Sequence, residues 1–281
     1  MNAINTLGFT WDSRVVPTNF PVHSQARVLF RFQKMLPEFV WDASVLEGNP
    51  FTFPEVKTLL DGVTVGGRKV SDHEQVLNLA ASSKALLAMV REGRFSMIKS
   101  VFLELHALVA RNEALEWGVF RGEGPEKNYS PYVSLGAFEP YYPLPTRDGA
   151  PRLNAVFEAG TRDLACACDN PAERGMLFFL FGALQQFFFD GNKRTSRFMM
   201  NGVLMSNGLD AISVPAARAE EFNTKMVGFY RHRDATEMLQ FLVSCHPDAN
   251  LLRQAERARE GRIAEDDVGT ESPDPGLAPG I

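Results

Sequence analysis

A stretch of twelve residues, Gln-Phe-Phe-Phe-Asp-Gly-Asn-Lys-Arg-Thr-Ser-Arg, constrains this chain more than any other feature. It spans residues 186–197 and separates two long apolar segments. A Gly-Asn pair between apolar segments predicts two helices joined by a tight loop. The free N–H groups at the start of the second helix form a site for anions, to which arginines add bidentate phosphate contacts. Two interpretations follow: a phosphate-binding loop, or a capped turn with surface arginines.

Four kinds of residue in this stretch suit phosphate chemistry. Gly191 permits the tight turn, and Asn192 follows it at the predicted helix start. Arg194 and Arg197 supply positive charge with a planar set of donors. Asp190 supplies oxygen atoms of the kind that bind a divalent cation. The stretch therefore places a cation ligand beside an anion site.

The segments on either side of the loop are predicted to be buried helices. Asn170 is placed to cap the first of them, Pro171 suits its first position, and Glu173 completes a capping-box pattern. Its body is apolar nearly all round, which indicates a central helix. The second helix is predicted to stop at Asn207-Gly208. Helix, anion-binding loop and helix then form the chemical centre.

Composition limits the classes of protein that fit. A chain of 281 residues with 45% hydrophobic content can bury one sizeable core. The net charge of −5 makes a nucleic-acid partner unexpected. No apolar run approaches the roughly 20 residues that span a bilayer, and the N-terminus lacks the pattern of a secretion signal. The three cysteines do not form a disulfide framework. We therefore expect a soluble cytoplasmic protein without a membrane partner.

Other parts of the chain carry weaker patterns. Apolar residues at helical spacing from Phe95 to Val109 predict an amphipathic helix, in which His106 is interpreted as a packed, hydrogen-bonded histidine. Residues 119–145 are aromatic, Pro-rich and roughly alternating, which fits either a short β-hairpin or an irregular loop. Residues 251–281 are charged and end in an acidic, Pro/Gly-rich tail that is expected to be disordered.

The twelve-residue stretch resembles the signature of the Fic (Fido-domain) family, His-x-Phe-x-Asp/Glu-Gly-Asn-Gly/Lys-Arg-x-x-Arg. The positions in register are Phe188, Asp190, Gly191, Asn192, Arg194 and Arg197, with Lys193 as a variant that the family uses. The first position departs from the signature, because Gln186 stands where the family has its catalytic histidine. The elements that bind phosphate are thus present, and the general base is missing.

Further motifs extend the resemblance over residues 40–245. Glu47 and Gly48 resemble the N-terminal inhibitory segment of the family, although Ala43 stands at its Ser/Thr position. Residues 118–121, Gly-Val-Phe-Arg, resemble the element that precedes the hairpin of the family, called the flap, which would span about residues 132–140. The resemblance implies a mainly α-helical Fic/Fido fold with a small β-hairpin flap. It divides the chain into an N-terminal helical region (1–85, with the inhibitory-type segment at about 40–62), a Fic domain (86–250) and the tail (251–281).

The resemblance also implies a chemistry. Family members transfer AMP from ATP to a Ser, Thr or Tyr hydroxyl of a target protein. Asp190 would bind Mg²⁺, Gly191 and Asn192 would cradle the α-phosphate, and Arg194 and Arg197 would hold the distal phosphates. The target would dock on the flap as an added strand. ATP, Mg²⁺, an unknown target protein and, from family habit, a second copy of the chain are the implied partners.

Gln186 limits that chemistry, because a carboxamide is not basic near neutral pH, whereas histidine titrates there. Losing a general base costs about 10²–10⁴ in rate. We therefore expect a weakened or altered adenylyltransferase; the alternative is an inactive Fic pseudoenzyme that binds nucleotide or protein. Gln186 either orients a phosphate, a water or the loop, or fills the space of the histidine. A branch with Lys at the position of Lys193, resembling the toxin Doc, transfers phosphate, so the transferred group stays open.

Glu47 is the second residue that bears on activity. In relatives the glutamate of the inhibitory segment pairs with the last arginine of the signature and blocks placement of the γ-phosphate. Glu47 and Arg197 are both present here. Two further roles stay open for Glu47: a solvated helix residue, or a carboxylate that orients water for hydrolytic removal of AMP.

Overall fold

The computed structural model describes residues 2–252, and this part of the chain is mainly helical. The tail predicted for residues 251–281 lies outside the described residues from 253 onward. The helices are α1 (Gln25–Lys34), α2 (Leu36–Val45), α3 (Phe53–Leu60), α4 (Val70–Arg91), α5 (Lys99–Val109), α6 (Pro151–Ala167), α7 (Pro171–Gln185), α8 (Asn192–Ser206), α9 (Ala219–His232) and α10 (Thr236–Cys245). The strands are β1 (Asn2–Ala3), β2 (Thr10–Trp11), β3 (Val133–Leu135) and β4 (Phe138–Tyr141). The predicted fold class is confirmed.

Helices α7 and α8 form the centre of the core. The side chains of α7 from Met176 to Leu184 are almost completely buried, as the apolar sequence predicts. The two helices approach closely at Gly182, which has no side chain. A Cβ atom at this position would collide with Ser196 Oγ. The close approach leaves the short segment between α7 and α8 little freedom, and this segment is the predicted loop.

The start of α7 confirms one part of its predicted cap and corrects another. Asn170 caps the helix, since its side chain accepts a hydrogen bond from the N–H of Ala172, and Pro171 occupies the first position. The predicted capping box with Glu173 does not form, so this part of the prediction is wrong. Glu173 instead accepts a buried hydrogen bond of 2.6 Å from Trp11 Nε1 on β2. A long-range partner outcompetes the local one, and it ties the N-terminal strand to the central helix.

The N-terminal region packs into the same core as the central helices. Helix α4 runs through the predicted boundary between residues 85 and 86 without interruption. Residues from α1, α2 and α3 belong to one hydrophobic cluster with α7 and α8. Thr10 of β2 also bonds through its backbone to Arg233 and Ala235, between α9 and α10. Within residues 2–252, no helix is long and apolar enough to cross a membrane.

The aromatic, Pro-rich segment forms a β-hairpin, so the alternative of an irregular loop is wrong. Strands β3 and β4 pair antiparallel, with Val133 opposite Tyr141 and Leu135 opposite Phe138. Gly136 lies in the turn with φ 68°, a conformation that glycine adopts without strain. Arg231 of α9 lies 3.7 Å above the ring of Phe138. The hairpin therefore occupies the predicted flap position, about residues 132–140, and rests on α9.

Candidate functional site

The predicted loop joins α7 to α8 through two residues with positive φ. Gln186, directly after α7, has φ 50° and ψ 60°, in the left-handed region. Gly191, directly before α8, has φ 72°, and a Cβ atom there would lie 3.2 Å from the Cβ of Ala110 and 3.4 Å from His106 Nε2. Both the backbone conformation and the limited space therefore favour glycine at position 191.

A cleft of about 300 Å³ opens between this loop and the hairpin. Its lining includes Glu47, Ser134, Gln186, Asp190, Lys193, Arg194 and Tyr230. The first N–H groups of α8 cannot find acceptors inside their own helix, and the residues that carry them, Asn192, Lys193 and Arg194, all line the cleft. The cleft thus combines a helix N-terminus with two cationic side chains, which is the chemistry of an anion site.

The side chain of Asn192 holds the loop in shape. Its Oδ1 accepts a hydrogen bond of 2.9 Å from the N–H of Phe188. Its Nδ2 donates to the carbonyl oxygen of Phe188 at 2.9 Å and to Gln186 Oε1 at 3.0 Å. Both amide hydrogens are therefore engaged within the protein. Asn192 can therefore contact an anion through its backbone N–H and not through its side chain.

Gln186 occupies the histidine position of the signature as a buried member of this network. Its Oε1 accepts from Asn192, and its Nε2 donates to the carbonyl oxygen of Ala183 at 2.6 Å. The carbonyl of Ala183 can only accept, so it fixes the orientation of the amide. Tyr230 donates to the same carbonyl at 2.9 Å. Gln186 therefore fills the space beside the cleft and offers no basic group there.

His106 lies directly beneath the loop. Its Nδ1 accepts a hydrogen bond of 3.0 Å from the N–H of Gly118, and its Nε2 lies 3.0 Å from the carbonyl oxygen of Asp190, to which it donates. The ring stacks on Phe188 at a centroid distance of 3.5 Å. The prediction of a packed, hydrogen-bonded histidine is confirmed. Because both nitrogens are engaged, His106 does not replace the missing base; it supports the loop.

Burial lowers the pKa of His106 from 6.5 to about 3, and this makes the stability of the protein depend on pH. Below pH 6.5 the unfolded chain binds a proton at this residue, whereas the folded protein does not until about pH 3. Unfolding is therefore favoured as the pH falls through this window, by at most about 1.4 kcal/mol per pH unit. We expect His106→Leu to be less stable at pH 7 and to lose stability less steeply between pH 6 and pH 4, measured by urea denaturation. An unchanged slope would contradict this.

Glu47 and Arg197, which are 150 residues apart in sequence, form an ion pair. Glu47 lies in the turn after α2, and its Oε1 is 3.2 Å from Arg197 Nη2. Burial alone would raise the pKa of Glu47, but Lys193, Arg197 and Arg194 outweigh it and lower the pKa. The carboxylate is thus ionised beside the cationic residues of the cleft. The two residues that the sequence suggested as partners are in contact.

Arg194 has a partner that the sequence did not indicate. Its Nη1 donates to Glu113 Oε2 at 2.5 Å, and its Nη2 lies 3.5 Å from Asp190 Oδ2. Glu113 follows α5 in a loop that contains no recognisable motif. Its carboxylate also accepts hydrogen bonds of 3.1 Å from Gln75 Nε2 and from Asn78 Nδ2, both on α4.

Asp190 is the candidate metal ligand, and its surroundings fit Mg²⁺. Its side chain is 61% exposed, so a hydrated cation can reach it. Oδ1 accepts from the N–H of Gly191 at 2.6 Å, which orients the carboxylate. Mg²⁺ is usually held by one or two carboxylates together with phosphate oxygens and water. One accessible carboxylate beside an anion site matches that pattern.

Arg121 is a second residue that sequence reasoning left without a role. Its guanidinium is completely buried and donates to three oxygens: Gln186 O at 2.6 Å, Leu144 O at 2.5 Å and Thr146 Oγ1 at 2.9 Å. Burial lowers the pKa of Arg121 to about 10. The side chain thereby joins the loop at Gln186 to the chain that leaves β4.

Comparisons with known proteins find relatives that are similar in sequence and structures that are similar in fold. No family model matches the chain. Protein adenylyltransferase fic-1 of Caenorhabditis briggsae is 23% identical over 187 residues, which are 66% of this chain and 34% of that protein. Protein adenylyltransferase Fic of Drosophila ananassae is 23% identical over 227 residues, which are 80% of this chain and 43% of that protein. The chain thus spans less than half the length of each of these relatives.

A solved structure resembles the whole helical body. The Fic domain containing signalling protein of Bacteroides thetaiotaomicron superposes with a TM-score of 0.63 at 19% identity, over 86% of this chain and 92% of that one. The chain therefore has the Fic fold, and its sequence is similar to those of Fic adenylyltransferases.

Proposed function

We propose that this chain binds ATP with Mg²⁺ in the cleft and is a Fic-type adenylyltransferase whose activity is weak because Gln186 replaces the base. The observation that carries the proposal is the N-terminus of α8. There the left-handed Gly191 presents the first N–H groups of the helix to a cleft that Lys193 and Arg194 also line. Relatives that share most of this chain are adenylyltransferases, which favours AMP over phosphate as the transferred group.

The proposed roles follow from position. The N–H groups of Asn192 and Lys193 hold the α-phosphate, and Arg194 and Arg197 hold the distal phosphates. Gly191 shapes the turn, while its own N–H donates to Asp190 Oδ1. Mg²⁺ on Asp190 would neutralise phosphate charge. Transfer of this kind needs mainly positioning and charge neutralisation from the protein. The attacking hydroxyl must still lose its proton. The amide of Gln186 is buried, makes two hydrogen bonds and cannot accept that proton.

The hairpin supplies a docking edge for the target in this proposal. Residues 131–134, which include the start of β3, line the cleft, and β3 pairs only with β4 among the described strands. Its other edge offers backbone groups to which an extended peptide can add as a strand. Such a strand would bring a target hydroxyl close to the α-phosphate.

Glu47 keeps the site in a resting state under the same proposal. While it pairs with Arg197, that arginine is not available to a phosphate. A role for Glu47 in orienting water for hydrolytic removal of AMP is a second use of the same carboxylate and depends on a modified target. We also propose that the protein is cytoplasmic and forms a homodimer. The division into an N-terminal region and a Fic domain is part of the same proposal.

The alternative function is that of a Fic pseudoenzyme that binds nucleotide or protein without transfer. One observation favours it: the amide of Gln186 is integrated into the loop by hydrogen bonds at both ends. A residue that stabilises the loop in this way is suited to a site that binds and does not react.

Label transfer from α-labelled and γ-labelled ATP separates these functions. The native protein and Glu47→Gly are incubated with Mg²⁺ and either label, alone and with cell lysate. We expect slow transfer of the α-label by Glu47→Gly that is lost in Glu47→Gly with Asp190→Ala. Transfer of the γ-label alone would indicate phosphate transfer. Nucleotide binding without transfer of either label would establish the pseudoenzyme.

A further inference from the structure

Glu47 and Glu113 hold the two arginines at the start of α8 in different ways. Glu47 makes one side-chain hydrogen bond within residues 2–252, to Arg197 at 3.2 Å, and sits in a turn before Gly48, whose φ is 78°. A single side-chain hydrogen bond thus holds its carboxylate. Glu113, in contrast, contacts Arg194 at 2.5 Å and is itself held by other side chains.

The fixation of Glu113 comes from helix α4. Gln75 donates to its Oε2 and Asn78 to its Oε1, each at 3.1 Å. Asn78 also donates to the carbonyl oxygen of Arg111 at 2.8 Å. Moving the Glu113 carboxylate would leave polar groups in a largely buried place without partners, which is costly. Glu113 is therefore built to stay in place.

Glu113 leaves part of the Arg194 guanidinium free. The Glu113 carboxylate binds Nη1 of Arg194. Nη2 is 3.5 Å from Oδ2 of Asp190, which lines the cleft. Nε is buried and has no hydrogen-bond partner within residues 2–252. A guanidinium carries five N–H donors, so donors remain for an anion after Glu113 is bound. The arrangement fits a preset ligand for phosphate.

We propose that Glu113 is a positioning residue that holds Arg194 ready for the distal phosphates of the nucleotide, whereas Glu47 controls Arg197. This inference rests on the proposed binding of ATP and assigns the two arginines different parts in it. Arg194 is a constant ligand, and Arg197 becomes a ligand only when Glu47 leaves. Loss of Glu47 then removes the hydrogen bond of Arg197, whereas Arg194 keeps the one to Glu113.

The alternative role for Glu113 is a second inhibitory carboxylate, and the two roles predict opposite signs. If Glu113 withholds Arg194, its neutralisation adds positive charge to the site and tightens ATP binding. If Glu113 positions Arg194, its neutralisation leaves a buried guanidinium whose next carboxylate is Asp190, at 3.5 Å. Arg194 then turns to Asp190, the proposed Mg²⁺ ligand, and ATP binding weakens.

Calorimetric titration with MgATP and with AMP tests this in a Glu47→Gly background, where Arg197 is released. We expect Glu113→Gln to weaken MgATP binding about tenfold and to change AMP binding less than twofold, because AMP lacks the distal phosphates. Glu113→Asp keeps the charge and should recover part of the loss. Glu104→Gln is the matched control, since Glu104 is half exposed on α5 and pairs with Arg94.

The outcomes are distinguishable. Equal or tighter MgATP binding by Glu113→Gln would overturn the positioning role. Equal losses for MgATP and AMP, together with a lower Tm, would mean that Glu113 is merely structural and would also overturn it. If Glu113→Gln does not fold, Glu113→Asp carries the same comparison between MgATP and AMP. No MgATP binding by the Glu47→Gly parent would overturn the proposed function and this inference with it.

Discussion

Replacing Gln186 by histidine in a Glu47→Gly background is expected to raise the rate of adenylyl transfer by about 10²–10⁴, the usual contribution of a general base. The site favours this exchange. Position 186 has φ 50°, and histidine is among the residues that tolerate positive φ. Gln186 already lines the cleft, so an imidazole there would border the space proposed for the attacking hydroxyl.

The measurement is the initial rate of α-label transfer by Glu47→Gly with and without Gln186→His. Gln185→His is the matched control, because Gln185 is the preceding residue but donates to Leu7 O at 3.0 Å, and it does not line the cleft. Equal rates with glutamine and histidine at position 186 would mean that the chain uses another base, or that proton removal does not limit the reaction.

Arg121→Ala is expected to lower the free energy of unfolding by about 3–5 kcal/mol. The guanidinium donates to the carbonyl oxygens of Gln186 and Leu144 and to the hydroxyl of Thr146, and all of these bonds are lost together. A buried polar group left without a partner costs about 1–3 kcal/mol. Because Arg121 joins the loop to the chain that leaves the hairpin, we expect both to become mobile in the variant.

Chemical denaturation of the native protein and Arg121→Ala provides the test. Arg152→Ala is the control, because Arg152 is exposed on α6, and surface substitutions usually change stability by less than about 0.5 kcal/mol. A loss below about 1 kcal/mol for Arg121→Ala would show that water replaces the guanidinium, and that the loop does not depend on it.

Local sequence patterns predicted the central part of this fold because the physical reasons for it are local. The apolar run of α7, its Asn170 cap and the glycine before α8 depend on residues a few positions apart. The roughly alternating pattern of the aromatic, Pro-rich segment 119–145 was compatible with a hairpin, but it did not distinguish a hairpin from an irregular loop. What settles the hairpin is its packing on α9, as in the contact of Arg231 with Phe138.

The support of the site could not be predicted, because it depends on residues far apart in sequence. His106 contacts Asp190 across 84 residues, Glu113 contacts Arg194 across 81, and Arg121 contacts Gln186 across 65. Glu173 followed a correct local pattern, and yet its carboxylate binds Trp11. The pairing of Glu47 with Arg197 came from resemblance to a family, since no local pattern connects the two residues.

The charges around the cleft explain why Glu47 matters to nucleotide binding. The carboxylates of Glu47, Glu113 and Asp190 face the cations of Lys193, Arg194 and Arg197, so the resting site is close to neutral. Removing the Glu47 carboxylate frees Arg197 and leaves a net positive site. A polyanion such as ATP should then bind more tightly.

The most direct test of this account is the dissociation constant of ATP in the presence of Mg²⁺, measured by calorimetry for the native protein and for Glu47→Gly. We expect both proteins to bind ATP and Glu47→Gly to bind it at least tenfold more tightly. A further Arg197→Ala substitution should remove that gain. If neither protein binds ATP at millimolar concentration, the cleft at the start of α8 is not a nucleotide site.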